Sequence, residues 1–192
     1  MAKILILFAH PAFEKSRLHR AMVKYAAHIE GVTFHDLYES YPDFDIDLRR
    51  EQDLLLQHDL IVFQHPFYWY SCPAILKQWQ DLVLEHGWAY GRGGTMLSGK
   101  YFFNAITAGG REEVYTEKGY NRFTVRQLLA PFDQMANLCK MKYLPPFVIH
   151  DTHRLDPATI EMHAIQYKRL LEALAGNMVQ VSQAENLRYI NE

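Results

Sequence analysis

The sequence predicts a doubly wound α/β parallel sheet with helices on both faces, and three observations carry that expectation. Five short apolar runs of strand length alternate with five stretches whose apolar residues recur at helical spacing. The first run, Lys3 to Ala9 (KILILFA), is continuously apolar, as suits a strand buried on both faces. The chain has 192 residues, 49% apolar and 22% charged. At that size a domain buries roughly 70% of its unfolded surface and needs neither disulfides nor a structural metal.

The elements follow in order. After Lys3 to Ala9, Leu18, Met22, Tyr25 and Ile29 fall at helical spacing, with Ser16 placed to cap the helix and Gly31 to end it. Val32 to Leu37 reads as the second strand, Leu48 to His58 as the second helix and Leu60 to Gln64 (LIVFQ) as the third strand. Pro73 suits the first turn of a helix carrying Ile75, Leu76, Trp79 and Val83. Tyr101 to Thr107 is a fourth strand, Val125 to Met135 a helix that Pro131 interrupts, and Leu144 to His150 a fifth strand despite its two prolines. In the last helix Asp156 caps, Pro157 starts, and Ile160, Ala164, Tyr167, Leu171 and Leu174 form the stripe that Gly176 ends. The expected organisation is a single domain over residues 1–176 and a tail or docking arm over residues 177–192.

Composition narrows the partners. With 20 Lys+Arg against 22 Asp+Glu the formal charge is -2, which argues against nucleic acid. Two cysteines, Cys72 and Cys139, and an apolar run that gives way at once to His10-Pro11 rather than forming a signal peptide, fit a reducing cytoplasm. No stretch approaches the ~18 apolar residues of a membrane span. Asp43-Phe44-Asp45-Ile46-Asp47 opens like a calcium loop, but Leu48 and Leu54 stand where its glycine and glutamate belong, so no metal is expected. His150 and His153 lack further ligands nearby, and surface or capping roles suit them; Cys72 reads as a small buried thiol.

Sheets of this kind bind ligands at the carboxyl ends of their strands, near the switch in strand order. The first such loop, His10 to His19, has neither dinucleotide nor Walker glycines, so kinase and nicotinamide-Rossmann readings lose most of their weight. Ser16 and Arg17 stand at a helix N-terminus, where free amides favour a phosphate, although capping alone would explain Ser16. The second loop sets Phe67, Tyr68, Trp69 and Tyr70 in a row after Pro66, a wall for a flat ligand, with at least one of them packing beneath the sheet edge. The third, Thr107-Ala108-Gly109-Gly110, can bring backbone amides close to an anion or can simply be a tight turn. Together the three describe a flavin mononucleotide site better than a metal or hydrolase site.

The run Pro66 to Trp79 (PFYWYSCPAILKQW), with Gly87-Trp88-Ala89-Tyr90, Thr107-Ala108-Gly109-Gly110, Asp36-Leu37-Tyr38 and Ala9-His10-Pro11, resembles the flavodoxin-fold NAD(P)H:quinone reductases, the DT-diaphorase family. Within it, His35 to Tyr38, Tyr41 to Phe44 and Gln64-His65-Pro66 most resemble the ancillary oxidoreductases of glutathione-regulated potassium-efflux systems. The resemblance implies a flavodoxin-like five-stranded parallel sheet and a cytoplasmic homodimer that binds and activates a membrane efflux transporter, peripheral to the inner face of the membrane through that partner. It implies FMN rather than FAD as cofactor, NADH or NADPH as donor and a quinone as acceptor, in ping-pong hydride transfer.

By the same resemblance His10, Ser16, Arg17, Leu18 and His19 surround the flavin phosphate and ribityl chain, and Pro66 to Tyr70 with Thr107 to Gly110 hold its ring. Amides of Gly109 and Gly110 stabilise charge on the reduced ring, and Tyr115 adds a hydrogen bond. Trp88 and Tyr90 belong to a loop that helps close the pocket shared with a second subunit, and the glycines beside them suggest a mobile cover. Two departures stand out: Asn121 replaces the family histidine six residues beyond Tyr115, and Ala108 replaces a threonine. The competing reading is a regulatory subunit that docks on the transporter with incidental or no turnover.

Overall fold

A computed structural model of the chain describes residues 1–176 and 187–192. Strands β1 (Ile4–Phe8), β2 (Val32–Asp36), β3 (Leu60–Pro66), β4 (Tyr101–Thr107), β5 (Lys142–Tyr143) and β6 (Phe147–Ile149) form one parallel sheet. Its order is β2-β1-β3-β4-β5, with β6 also on β4, so the order switches between β1 and β3. The helices are α1 (Arg17–Ala26), α2 (Leu37–Ser40), α3 (Leu48–Leu56), α4 (Ala74–Val83), α5 (Val125–Leu128), α6 (Ala130–Leu138) and α7 (Pro157–Gly176).

Side chains of a strand alternate between faces, and the two cores follow that alternation. Ile4, Ile6, Phe8, Leu60 and Val62 pack with Met22 of α1 and Tyr167 and Leu171 of α7 on one face. Leu5, Leu7, Ile61 and Phe63 pack with Leu55 of α3, Trp79 of α4 and Phe132 of α6 on the other. β1 is buried at all five positions, as its unbroken apolar run predicts.

The structure moves several boundaries. α1 stops at Ala26 instead of reaching Gly31, because Ile29 bonds back to the Ala26 carbonyl in a turn that leads into β2; Gly31 (φ 83°) sits there against the Ala2 carbonyl. Leu37 begins α2 rather than ending β2, because the Asp36 carboxylate accepts the Tyr38 and Glu39 amides at 2.9 and 3.2 Å. Pro73 is the N-cap of α4 and lies outside its first turn. Pro131 opens α6 instead of merely kinking one helix, so the stretch from Val125 is two helices. β3 extends two residues past Gln64.

The fifth strand is broken into β5 and β6. Pro145 and Pro146 have no amide to give β4, and residues 144–146 oppose only Phe103 and Asn104, a one-residue bulge. Residues 177–186, most of the expected tail, lie outside the described residues. Residues 187–192 run beside β6: Val148 donates to Asn191 Oδ1 (3.0 Å), Asn191 Nδ2 donates back to the Val148 carbonyl (3.1 Å), and Tyr189 is buried.

Beneath α3, Glu51 is fully buried and accepts three hydrogen bonds, from His35 Nε2 (2.7 Å), Tyr41 Oη (2.6 Å) and Trp79 Nε1 (2.8 Å). Burial opposes its charge, but these donors prevail and hold the carboxyl below its usual range. The hub ties β2, α3 and α4 together. Asp47, the last acid of the calcium-like run, caps α3 by accepting the Arg50 amide at 3.1 Å.

Candidate functional site

A cleft of about 820 Å³ opens at the carboxyl ends of β1, β3 and β4, within the usual size of a ligand site. The loop after β1 lines it with His10, Lys15, Ser16, Arg17 and Leu18, the loop after β3 with Pro66, Phe67, Tyr68 and Trp69, and β4 and its loop with Thr107 and Gly109. Three separate stretches of sequence thus meet in one crevice.

Ser16 caps α1 by accepting the His19 amide at 3.2 Å, which leaves its own hydroxyl proton available. The amides of Arg17 and Leu18, in the first turn, have no intrahelical acceptor, and Lys15 and Arg17 add positive charge at the same end. Capping and anion binding are therefore both open to Ser16. The Ala12 amide donates to His10 Nδ1 (3.1 Å), which keeps the ring proton on Nε2; burial lowers the His10 pKa, so the ring is neutral near pH 7.

The aromatic loop is split in role. Phe67 is buried beneath the cleft, its ring 6.1 Å from Tyr115, while Tyr68 stands edge-on to His10 at 6.2 Å. Trp69 (φ 49°) and Tyr70 (φ 61°) hold the left-handed conformation that large side chains seldom adopt, and Trp69 is 92% exposed. Tyr70 does not line the cleft; its hydroxyl donates to Asn121 Oδ1 (3.2 Å) and ties residues 111–124 to this loop.

Gly109 and Gly110 are not among the positive-φ glycines, and side chains approach both closely. A Cβ on Gly109 would sit 2.8 Å from His153 Nε2, and one on Gly110 3.1 Å from the Tyr115 ring. Neither glycine amide donates to an acceptor among the described residues, whereas the Ala108 amide is held by the Ile149 carbonyl at 2.8 Å. Ala108 and Gly110 thus stand behind the wall. Tyr115 is buried beside the cleft, flanked by Phe67 and by His150 at 5.4 Å, and burial raises its pKa. Trp88 and Tyr90 do not reach the cleft of their own chain; the carbonyl of Tyr90 accepts the Gly87 amide (2.7 Å) in a tight loop of its own.

Two expected positions change meaning. His19 is enclosed behind the wall instead of lining it. His153 is exposed, as its surface reading expects, and it also lines the cleft with Thr152. The rule that ligands bind at carboxyl strand ends, applied to the loop after the last strand, points to both. Cys72 stays a partly buried thiol whose pKa burial raises. No helix among the described residues is long and apolar enough to cross a membrane.

A five-position parallel sheet in this order, with its cleft at the strand ends beside the switch, defines a flavodoxin-like protein. The family model described as flavodoxin-like fold matches residues 2–171, and the chain belongs to that family. It is 47% identical over 165 residues, 86% of this chain and 90% of the relative, to the glutathione-regulated potassium-efflux system ancillary protein KefG of Serratia proteamaculans. Among solved structures, general stress protein 14 of Treponema denticola in complex with FMN is 38% identical with a TM-score of 0.84, covering 90% of this chain and 99% of that one. An NADPH-quinone reductase from P. pentosaceus is 32% identical with a TM-score of 0.79, covering 87% and 96%.

Proposed function

We propose that the chain is a flavin-dependent NAD(P)H:quinone oxidoreductase that also acts as an ancillary activator of a potassium-efflux transporter. The observation that carries the reading is the convergence in one cleft of an anion seat at α1, an aromatic wall and a glycine whose backbone amide is left free of acceptors among the described residues. These residues fit FMN. The Ser16 hydroxyl and the Arg17 and Leu18 amides would hold the phosphate, Phe67 and Tyr68 would flank the ring, and the free Gly109 amide would receive charge on its reduced edge.

The chemistry a bound flavin supplies is acceptance of a hydride from NADH or NADPH and two-electron delivery to a quinone. The chain's own part is orientation. Burial keeps the Tyr115 phenol protonated at neutral pH, as a hydrogen-bond donor beside Gly110. Exposed Trp69 in the cleft lining, exposed Tyr120 and Phe123, and the absence of Trp88 and Tyr90 from that lining support a homodimer in which the second copy closes the pocket. Similarity to the ancillary protein is higher than to the P. pentosaceus reductase, 47% against 32%, which favours the transporter role and a cytoplasmic, peripheral location.

The test is to titrate FMN into the purified chain, then add NADH or NADPH without oxygen, followed by a quinone. Bleaching and recovery of the flavin spectrum are expected, and Tyr115→Phe is expected to slow reduction without releasing flavin. A folded chain that takes up neither FMN nor FAD would overturn the enzyme reading and leave the docking subunit.

A further inference from the structure

A chain of buried hydrogen bonds runs from α7 to the cleft through four elements. The Tyr167 hydroxyl lies 3.0 Å from Gln64 Oε1, Gln64 Nε2 lies 3.3 Å from His19 Nδ1, and His19 Nε2 lies 2.9 Å from Thr107 Oγ1. Tyr167 and Gln64 are wholly enclosed, His19 is 1% exposed, and Thr107 alone reaches the cleft.

Chemistry fixes the direction of the chain. A buried phenol must donate its proton, and the single acceptor in reach of Tyr167 among the described residues is Gln64 Oε1. That orients the amide, so Gln64 Nε2 donates to His19 Nδ1. Nδ1 is then bare and the ring proton sits on Nε2, from which it is donated to Thr107 Oγ1. With a lone pair so occupied, the Thr107 hydroxyl keeps its own proton to give. Burial holds His19 neutral, which the chain needs, since an imidazolium would have no bare nitrogen to accept from Gln64.

We propose that Tyr167, Gln64 and His19 are positioning residues that present the Thr107 hydroxyl to the cleft as a donor, so that this spot takes an acceptor atom, a carbonyl oxygen or a bare ring nitrogen, of the bound ligand. The inference rests on the flavin reading only for the identity of that ligand. A purely structural network would hold α7, β3, α1 and β4 together whichever way its protons ran.

The first measurement uses the flavin-free full chain labelled with 15N-histidine. Long-range 1H–15N correlation, with His19 assigned through a His19→Asn variant, is expected to find its proton on Nε2. Tyr167→Phe removes the anchor and lets the amide turn, so a mixture of tautomers and an FMN affinity about twofold weaker are expected when half the molecules lose the donor. Gln64→Leu removes the donor to His19 Nδ1 and frees the tautomer in the same way, so FMN affinity is expected to fall about twofold. In a Thr107→Val background that penalty is expected to vanish.

A wild-type proton on Nδ1 overturns the proposal, and so does a Gln64→Leu penalty that persists without the Thr107 hydroxyl. If the folded wild type takes up no FMN, the flavin reading fails by itself, and the tautomers of wild type and Tyr167→Phe still decide the relay: Nε2 turning into a mixture upholds it, and any other pair of results overturns it.

Discussion

The two faces of the sheet carry hydrogen-bond chains of the same grammar with different endings. On the α7 face the order is tyrosine, amide, histidine, hydroxyl: Tyr167, Gln64, His19, Thr107. On the other, the Tyr143 hydroxyl donates to Asn104 Oδ1 (2.8 Å), Asn104 Nδ2 donates to His65 Nε2 (3.3 Å), and His65 Nδ1 donates to the Pro66 carbonyl (2.9 Å). A carbonyl only accepts, so the second chain stops inside the protein. A hydroxyl accepts and donates, so the first continues into the cleft. Neighbouring residues Gln64 and His65 of β3 point to opposite faces, and strand pleat thus separates a chain that can reach ligand from one that cannot.

Acid should break both chains, with the largest effect. Burial lowers the His65 pKa from 6.5 to about 4 and lowers that of His19 as well. The unfolded chain therefore binds more protons, and stability present above pH 6.5 is lost as pH falls toward 4. His65 alone accounts for about 3 kcal/mol of it, readable as the urea midpoint at pH 7 against pH 4. A midpoint that holds steady over that range would show that these rings are not forced neutral.

Next in size are Gln64→Leu and Asn104→Leu, each of which strands a buried histidine nitrogen and is expected to cost about 1–3 kcal/mol in urea unfolding. The comparison sharpens because only Gln64→Leu should also weaken FMN. Equal loss of FMN affinity in both would mean that stability, and no oriented hydroxyl, controls binding. The smallest change is the pair Tyr167→Phe and Tyr143→Phe, expected at about 1 kcal/mol of stability apiece. Of the two, Tyr167→Phe alone should disturb the His19 tautomer.

Much of this was legible in the residues. The unbroken apolar runs of β1, β3 and β4 and the long stripe of α7 are each set by local pattern, and their order places the loops of the cleft. Local pattern failed where tertiary contacts decide. Pro145 and Pro146 forced a bulge whose register only β4 defines, and Ile29 keeps helical spacing although the chain has already turned toward β2. At the site, Ser16, Phe67 and Gly109 announce themselves by type. His19 and Gln64 do not, since their use depends on atoms contributed by α7 and β4. The glycine pair was legible as close approach, but what approaches, His153 and Tyr115, comes from loops further along the chain.

The contacts of residues 187–192 with β6 bear on how the molecule avoids its own kind. Past the prolines, β6 would offer Val148 as an open rung on which another chain could lay a strand. Asn191 fills that rung with both atoms of its side-chain amide, and the Ile190 amide takes the Pro146 carbonyl at 3.0 Å. A sheet sealed by a side chain has no ladder left to extend there, so growth into fibrils or swapped sheets is blocked at this margin by an asparagine.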